Sequence, residues 1–131
     1  YQLAVLSNND LRLCQILEEK GIADYFDTIF VSEEIGHAKP SFEIFHHVQK
    51  YLKLRTKEIL HIGDNIREDY LGAKKAGWQA MLIGRERPTE VSEIDYCKSL
   101  TEASHQITIN KQAQATHDRG IQEPCEGGKS P

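Results

Sequence analysis

The sequence predicts an α/β fold in which a parallel sheet is covered by helices on both faces. Three observations carry this reading. Short runs, residues 3–6 and 80–83 among them, are apolar throughout instead of alternating, as strands buried on both faces are. Stretches between such runs, around Leu11, Cys14 and Leu17 and around Ile44, Phe45, Val48, Tyr51 and Leu52, repeat apolar residues at helical spacing. The order is strand, helix, strand, helix, strand, helix, strand, and parallel strands need such helical crossovers.

Each element has its own local cause. Residues 2–7 form a strand ended by the turn formers Asn8, Asn9 and Asp10; Asn9 or Asp10 then caps a helix that closes at Gly21. Residues 28–32, rich in β-branched and aromatic side chains, form the second strand. A loop of Gly36, His37, Ala38, Lys39 and Pro40 leads into the next helix. Residues 59–62 form the third strand, 65–76 a helix closed by Gly77, and 79–83 the fourth strand. Residues 106–109 are read as one further edge strand. Three segments follow: a core over 1–87, a divergent peripheral segment over 88–109, and a tail over 110–131 expected to be disordered, since Ile121 is its only large aliphatic residue.

Composition narrows the functional classes. A chain of 131 residues suits one core-forming domain, and 39% hydrophobic with 27% charged residues is ordinary for a globular protein. No apolar run approaches the roughly 18 residues of a membrane span, so neither a transmembrane helix nor a signal peptide is expected. A net charge of −4 and a pI near 5.9 give no basic footprint for nucleic acid. Cys14, Cys97 and Cys125 are an odd set without C-x-x-C spacing, which points to a reducing, intracellular, cytoplasmic setting. Oligomeric state is not encoded in any visible pattern. The only methionine is Met81 and the chain opens at Tyr1 inside an apolar run, so the sequence reads as a piece of a longer protein.

Three features fall where open α/β sheets place their ligands, at the carboxyl ends of strands. Ser7 with Asn8 offers a hydroxyl and exposed backbone N–H groups for a phosphate oxygen; the alternative is a Ser opening an Asn-rich turn. Lys39, fixed ahead of a helix by Pro40, offers a cation; the alternative is a solvated loop lysine. In the stretch from His61 to Ala73, Asp64 suits Mg²⁺ and Asp69 suits a water on that metal or the Lys39 ammonium. The alternative there is that Asp64 or Asn65 caps a helix whose dipole Asp69 complements. The histidines, including adjacent His46 and His47, lack metal-ligand spacing, and Trp78 reads as core.

Taken together, Leu3-Ala4-Val5-Leu6-Ser7-Asn8, Gly36-His37-Ala38-Lys39-Pro40, and Ile62-Gly63-Asp64 through Asp69 to Gly72-Ala73 and Ala76-Gly77 resemble motifs two, three and four of the haloacid dehalogenase-like hydrolase superfamily. The resemblance covers about residues 1–87. It implies a three-layer Rossmann-like core and a Mg²⁺-dependent phosphatase acting on a small phosphorylated substrate through an aspartyl-phosphate intermediate. By the same likeness Ser7, Asn8 and Lys39 bind phosphate, Lys39 and Asp69 are catalytic residues, and Asp64 is the metal ligand. One departure is large. The aspartates stand at 10, 24, 27, 64, 69, 95 and 118, so the family's nucleophilic Asp-x-Asp is absent, and with it the cap domain and a central first strand between those ending at Ser7 and Gly63. The amino-terminal part of the fold is therefore expected to be missing, with Leu3, Val5, Leu60 and Ile62 left partly uncovered. Alone, the chain is expected to be inactive. A noncatalytic interaction or regulatory product is the alternative. A receiver-type signalling domain fits less well, because its acidic pocket precedes its Lys-Pro whereas the acids here follow it.

Overall fold

The computed structural model describes residues 1–115, with side-chain surroundings given as far as residue 107. Parallel strands alternate with helices, the α/β class the sequence predicts. The chain divides after Leu52 into two compact units. That boundary lies inside the stretch 1–87 that reads as one core.

In the first unit, β1 (Ala4–Ser7) pairs in parallel with β2 (Thr28–Val31), Ala4 opposite Thr28 and Ser7 opposite Val31. Helix α1 (Arg12–Glu19) makes the crossover. Asp10 helps start it by accepting the Arg12 N–H at 2.9 Å, and Gly21 follows its end at a φ of 74° that favours glycine. All four residues of β2 are buried, and Phe30, Val31, Ile44, Phe45 and Val48 form the core with α3 (Phe42–Leu52). Phe30 meets the edge of the Tyr51 ring at 5.3 Å between centroids. Ser32, read as the end of a strand, instead opens the single turn α2 (Ser32–Ile35), stopped by left-handed Gly36.

In the second unit, β3 (Leu60–Gly63) pairs in parallel with β4 (Gln79–Ile83), and β4 with the two-residue β5 (Tyr96–Cys97), giving the order β3-β4-β5. The helix expected over 65–76 is present in altered form. Residues Ile66–Leu71 wind as a π-helix and Gly72–Lys75, α4, as an α-helical turn, while the Asn65 side chain caps the start by accepting the Glu68 N–H. Gly77 then turns the chain at a φ of 90°. Trp78 is buried as read, and Met81, Cys97 and Ala103 form a core cluster against which Ile62 packs.

The edge strand expected over 106–109 is not formed; those residues lie in helix α5 (Leu100–Ala115). The cause is upstream. Ser99 Oγ accepts the Glu102 N–H at 3.1 Å while the Glu102 carboxylate accepts the Lys98 N–H at 3.2 Å, a reciprocal cap that nucleates the helix before the β-branched residues are reached. Buried Ala103 docks it. Residues 110–115 of the expected tail belong to this helix, and 116–131 lie outside the described residues.

Strands β1 and β3 belong to different sheets and, among the described residues, each has one neighbour. Leu3 is 51% exposed and Leu60 36%, as expected for strands short of a partner, whereas Val5 and Ile62 are half-buried. Among the described residues no helix is long and apolar enough to cross a membrane.

Replacing the cap tests the helix against the strand reading. Ser99→Ala should cost about 1 kcal/mol and reduce the circular-dichroism signal at helical wavelengths. An unchanged helical signal and midpoint would show that α5 does not depend on this cap.

Candidate functional site

The first unit presents Ser7, Asn8 and Lys39. Ser7 ends β1 half-buried, and among the described residues no protein group bonds its hydroxyl. Asn8 does more than the sequence suggests. Its side-chain oxygen accepts the Lys39 backbone N–H at 2.8 Å and its amide donates to the Lys39 carbonyl at 3.0 Å. Two antiparallel bonds from one side chain copy a rung of β-ladder and fix the backbone that carries the half-buried Lys39. The adjoining turn is fastened on its other side: the Asn9 carbonyl accepts the Ser32 hydroxyl and the Glu33 N–H, each at 3.1 Å. No spacing rule links residues 8 and 39, so sequence reading missed this brace; the only signal is an Asn, which can both donate and accept, directly after a strand.

The second unit presents Asp64 and Asp69 around the turn that ends β3. Asp64 is exposed, and among the described residues nothing bonds its carboxylate. Asp69 is the opposite: 6% exposed and turned back over the strand. One of its carboxylate oxygens lies 2.9 Å from His61 Nε2, and the other accepts the Asn65 N–H at 3.1 Å. Glycine at 63 is required for this fold-back, because a Cβ there would overlap the Asp69 carboxyl group. Asp69 thus bonds the amide next after Asp64, and the turn between the two acids is fixed by side chains. Asn65, not Asp64, is the helix cap, so Asp64 is not consumed by capping.

The wide π turn also carries the opposite anchor. Tyr70 donates its hydroxyl to Asp95 at 2.8 Å, and Lys74 reaches the same carboxylate at 3.2 Å. Burial first, then the Asp95 carboxylate, push the Tyr70 hydroxyl above its ordinary pKa, so it stays a donor.

Among the described residues no three His, Cys, Asp or Glu side chains gather as a metal cage. A single unengaged carboxylate nonetheless suits Mg²⁺, which is commonly held by one or two carboxylates while keeping several waters.

A family model for haloacid dehalogenase-like hydrolases matches residues 1–77, and the chain belongs to that family of hydrolases. It is 37% identical over 89 residues to haloacid dehalogenase-like hydrolase domain-containing protein 3 of Bos taurus, an alignment covering 68% of this chain and 36% of that protein. It is 32% identical over 87 residues to glyceraldehyde 3-phosphate phosphatase of Methanothermobacter thermautotrophicus, covering 66% of this chain and 38% of the relative. Its fold matches that of the magnesium-bound HAD-hydrolase YfnB from Bacillus subtilis with a TM-score of 0.73 at 25% identity, over 80% of this chain and 48% of the other. The chain therefore spans little more than a third of the length of these two curated relatives.

The Asn8 brace is testable by itself. Asn8→Ala removes two hydrogen bonds at about 0.5–1.5 kcal/mol each and should speed hydrogen exchange at the Lys39 amide by tenfold or more, roughly what that loss converts to. Unchanged exchange at Lys39 would mean the loop is held by other contacts.

Proposed function

We propose that this chain supplies the phosphoryl-binding and metal-binding groups of a Mg²⁺-dependent phosphatase that acts on a small phosphorylated substrate, and that its nucleophile comes from sequence outside these residues. The observation that carries the reading is Asp64: an unengaged carboxylate at the carboxyl end of a parallel strand, held on a turn that Asp69 braces. A hydrolytic dehalogenase needs no cation and has less use for an acid there, so the carboxylate favours phosphoryl transfer over dehalogenation. The phosphatase named among the relatives and the magnesium-bound structural neighbour support the same choice.

Each side chain then has a role its chemistry suits. The Ser7 hydroxyl and the Asn8 backbone N–H donate to phosphoryl oxygens, and the Lys39 ammonium offsets the charge they gain in the transition state. Asp64 would hold Mg²⁺, which when bound acts as a Lewis acid toward a phosphoryl oxygen. Asp69 positions the Asp64 turn and, with the ion bound, would orient a water on it. In the intact protein an aspartate carboxylate oxygen attacks phosphorus as the bond to the substrate oxygen breaks. Water then attacks the phosphorus of the aspartyl phosphate, releasing inorganic phosphate and restoring the carboxylate.

A reducing compartment suits the chain, because Cys14 and Cys97 are free thiols and burial raises the pKa of Cys97, keeping it protonated and unreactive. The absence of any Asp-x-Asp favours, for the chain by itself, a noncatalytic role in binding or regulation.

One experiment separates the two roles. The 131-residue chain should show no turnover of an aryl phosphate with Mg²⁺, while its fusion to an amino-terminal segment bearing Asp-x-Asp should show Mg²⁺-dependent turnover. In that fusion Lys39→Ala should lower kcat by about 100-fold or more with little change in stability, and Asp64→Asn should weaken Mg²⁺ activation. Turnover by the chain alone that vanishes in Asp64→Asn would reveal a nucleophile within it. Metal-independent turnover by the fusion would sink the Mg²⁺ assignment, and an inert, folded fusion would favour the noncatalytic role.

A further inference from the structure

We propose that His61 is a positioning residue of this site: it holds Asp69 across Gly63, and Asp69 in turn fixes the Asn65 amide and so the turn that presents Asp64. The inference rests on the metal role given to Asp64 above. His61 and Gly63 are two apart on β3 and share one face of the strand, the face over which the Asp69 carboxylate lies. The His61 and Asp69 side chains are both nearly buried, 11% and 8% exposed, so their 2.9 Å contact is shielded from water.

The imidazole is itself held from behind. Its ring meets that of buried Trp78 edge-on at 6.1 Å between centroids, which restricts the ring rotation that would carry Nε2 away from Asp69. An ionised carboxylate only accepts, so Nε2 carries the hydrogen in this pair. Asp69 uses its second oxygen on the Asn65 N–H, and the residue before that amide is Asp64. The path from ring to metal ligand is therefore three short links within one unit: imidazole to carboxylate, carboxylate to amide, amide to neighbouring residue. Remove the imidazole donor and Asp69 loses its hydrogen bond to β3, which loosens its hold on the turn. Outer partners of metal sites act in this way, by restricting the ligand, without touching the ion.

The test uses the full chain, Mn²⁺ alone as a paramagnetic probe, and ¹⁵N NMR. In the wild type, Mn²⁺ should broaden the amides of residues 63–66 first, and His61 should show a hydrogen on Nε2. His61→Phe keeps a ring against Trp78 but has no donor; the Mn²⁺ concentration needed for the same broadening should rise about tenfold or more, and Asn65 amide exchange should quicken. His61→Gln, whose amide can reach the same oxygen, should restore both to within about threefold. Unchanged broadening and unchanged Asn65 exchange in folded His61→Phe would overturn the proposal, as would an unprotonated Nε2 in the wild type, a result that needs no variant to fold. If the wild type shows no Mn²⁺ effect near Asp64 while Asn65 exchange still quickens in His61→Phe and recovers in His61→Gln, the metal role of Asp64 fails and the positioning role of His61 stands.

Discussion

Parallel pairing is the constraint from which the rest of this structure follows. A parallel strand cannot return to its neighbour through a tight turn, so after β1 and again after β3 the chain must leave the sheet, cross by a helix and come back in the same direction. The residues spent on leaving, Asn8 in one unit and Asp64 and Asn65 in the other, follow the strand ends with backbone groups that the sheet no longer pairs. They are available for chemistry because geometry excludes them from the ladder. The same exclusion makes them costly unless something else holds them.

What holds them is a side chain in each case, and the two solutions are alike in kind. Asn8 supplies both halves of a missing ladder rung to Lys39, and Asp69 supplies an acceptor to Asn65. In the roles proposed here neither bracing side chain touches the metal or the phosphoryl group itself. Both spend a polar side chain on making the neighbouring backbone rigid, which is the condition for electrostatic stabilisation: a charge placed in advance need not be reorganised when the reacting group arrives. Gly63 belongs to the same device, since its missing Cβ is the space that the Asp69 carboxylate fills.

The features written in the sequence are those with a local cause. Strands β1 to β4 announce themselves as apolar runs, α3 as an apolar helical face, Gly21, Gly36 and Gly77 as turns at positive φ, and Asn65 as a cap. Asp64 could be singled out because a carboxylate at the end of a predicted strand is already informative. What could not be read depends on contacts between distant residues or on competition between local signals. Asn8 and Lys39 are 31 residues apart, and His61 looked like a histidine without metal spacing because its partner is an acid eight residues on. The β-branched residues at 107–109 favour a strand in isolation; the cap at Ser99 and the docking of Ala103 decide for a helix. The signal for that outcome, Ser99-x-x-Glu102, was present and outranks propensity.

The connection after β4 has a consequence of another kind. Gly84 is tied to β5, its N–H bonding the Cys97 carbonyl at 3.2 Å and its carbonyl accepting the Tyr96 hydroxyl, and Arg87 closes the far side by donating to the carbonyl of fully buried Val91 at 2.6 Å. Between these two fastenings lie only Arg85 and Glu86, both exposed. Lengthening an exposed loop whose ends are already pinned is cheap, about 0.6 kcal/mol for each doubling. The Arg85–Glu86 bond is therefore a natural splice point for a peptide tag or a reporter, one that leaves both the Asp64 turn and the register of the three-stranded sheet as they are.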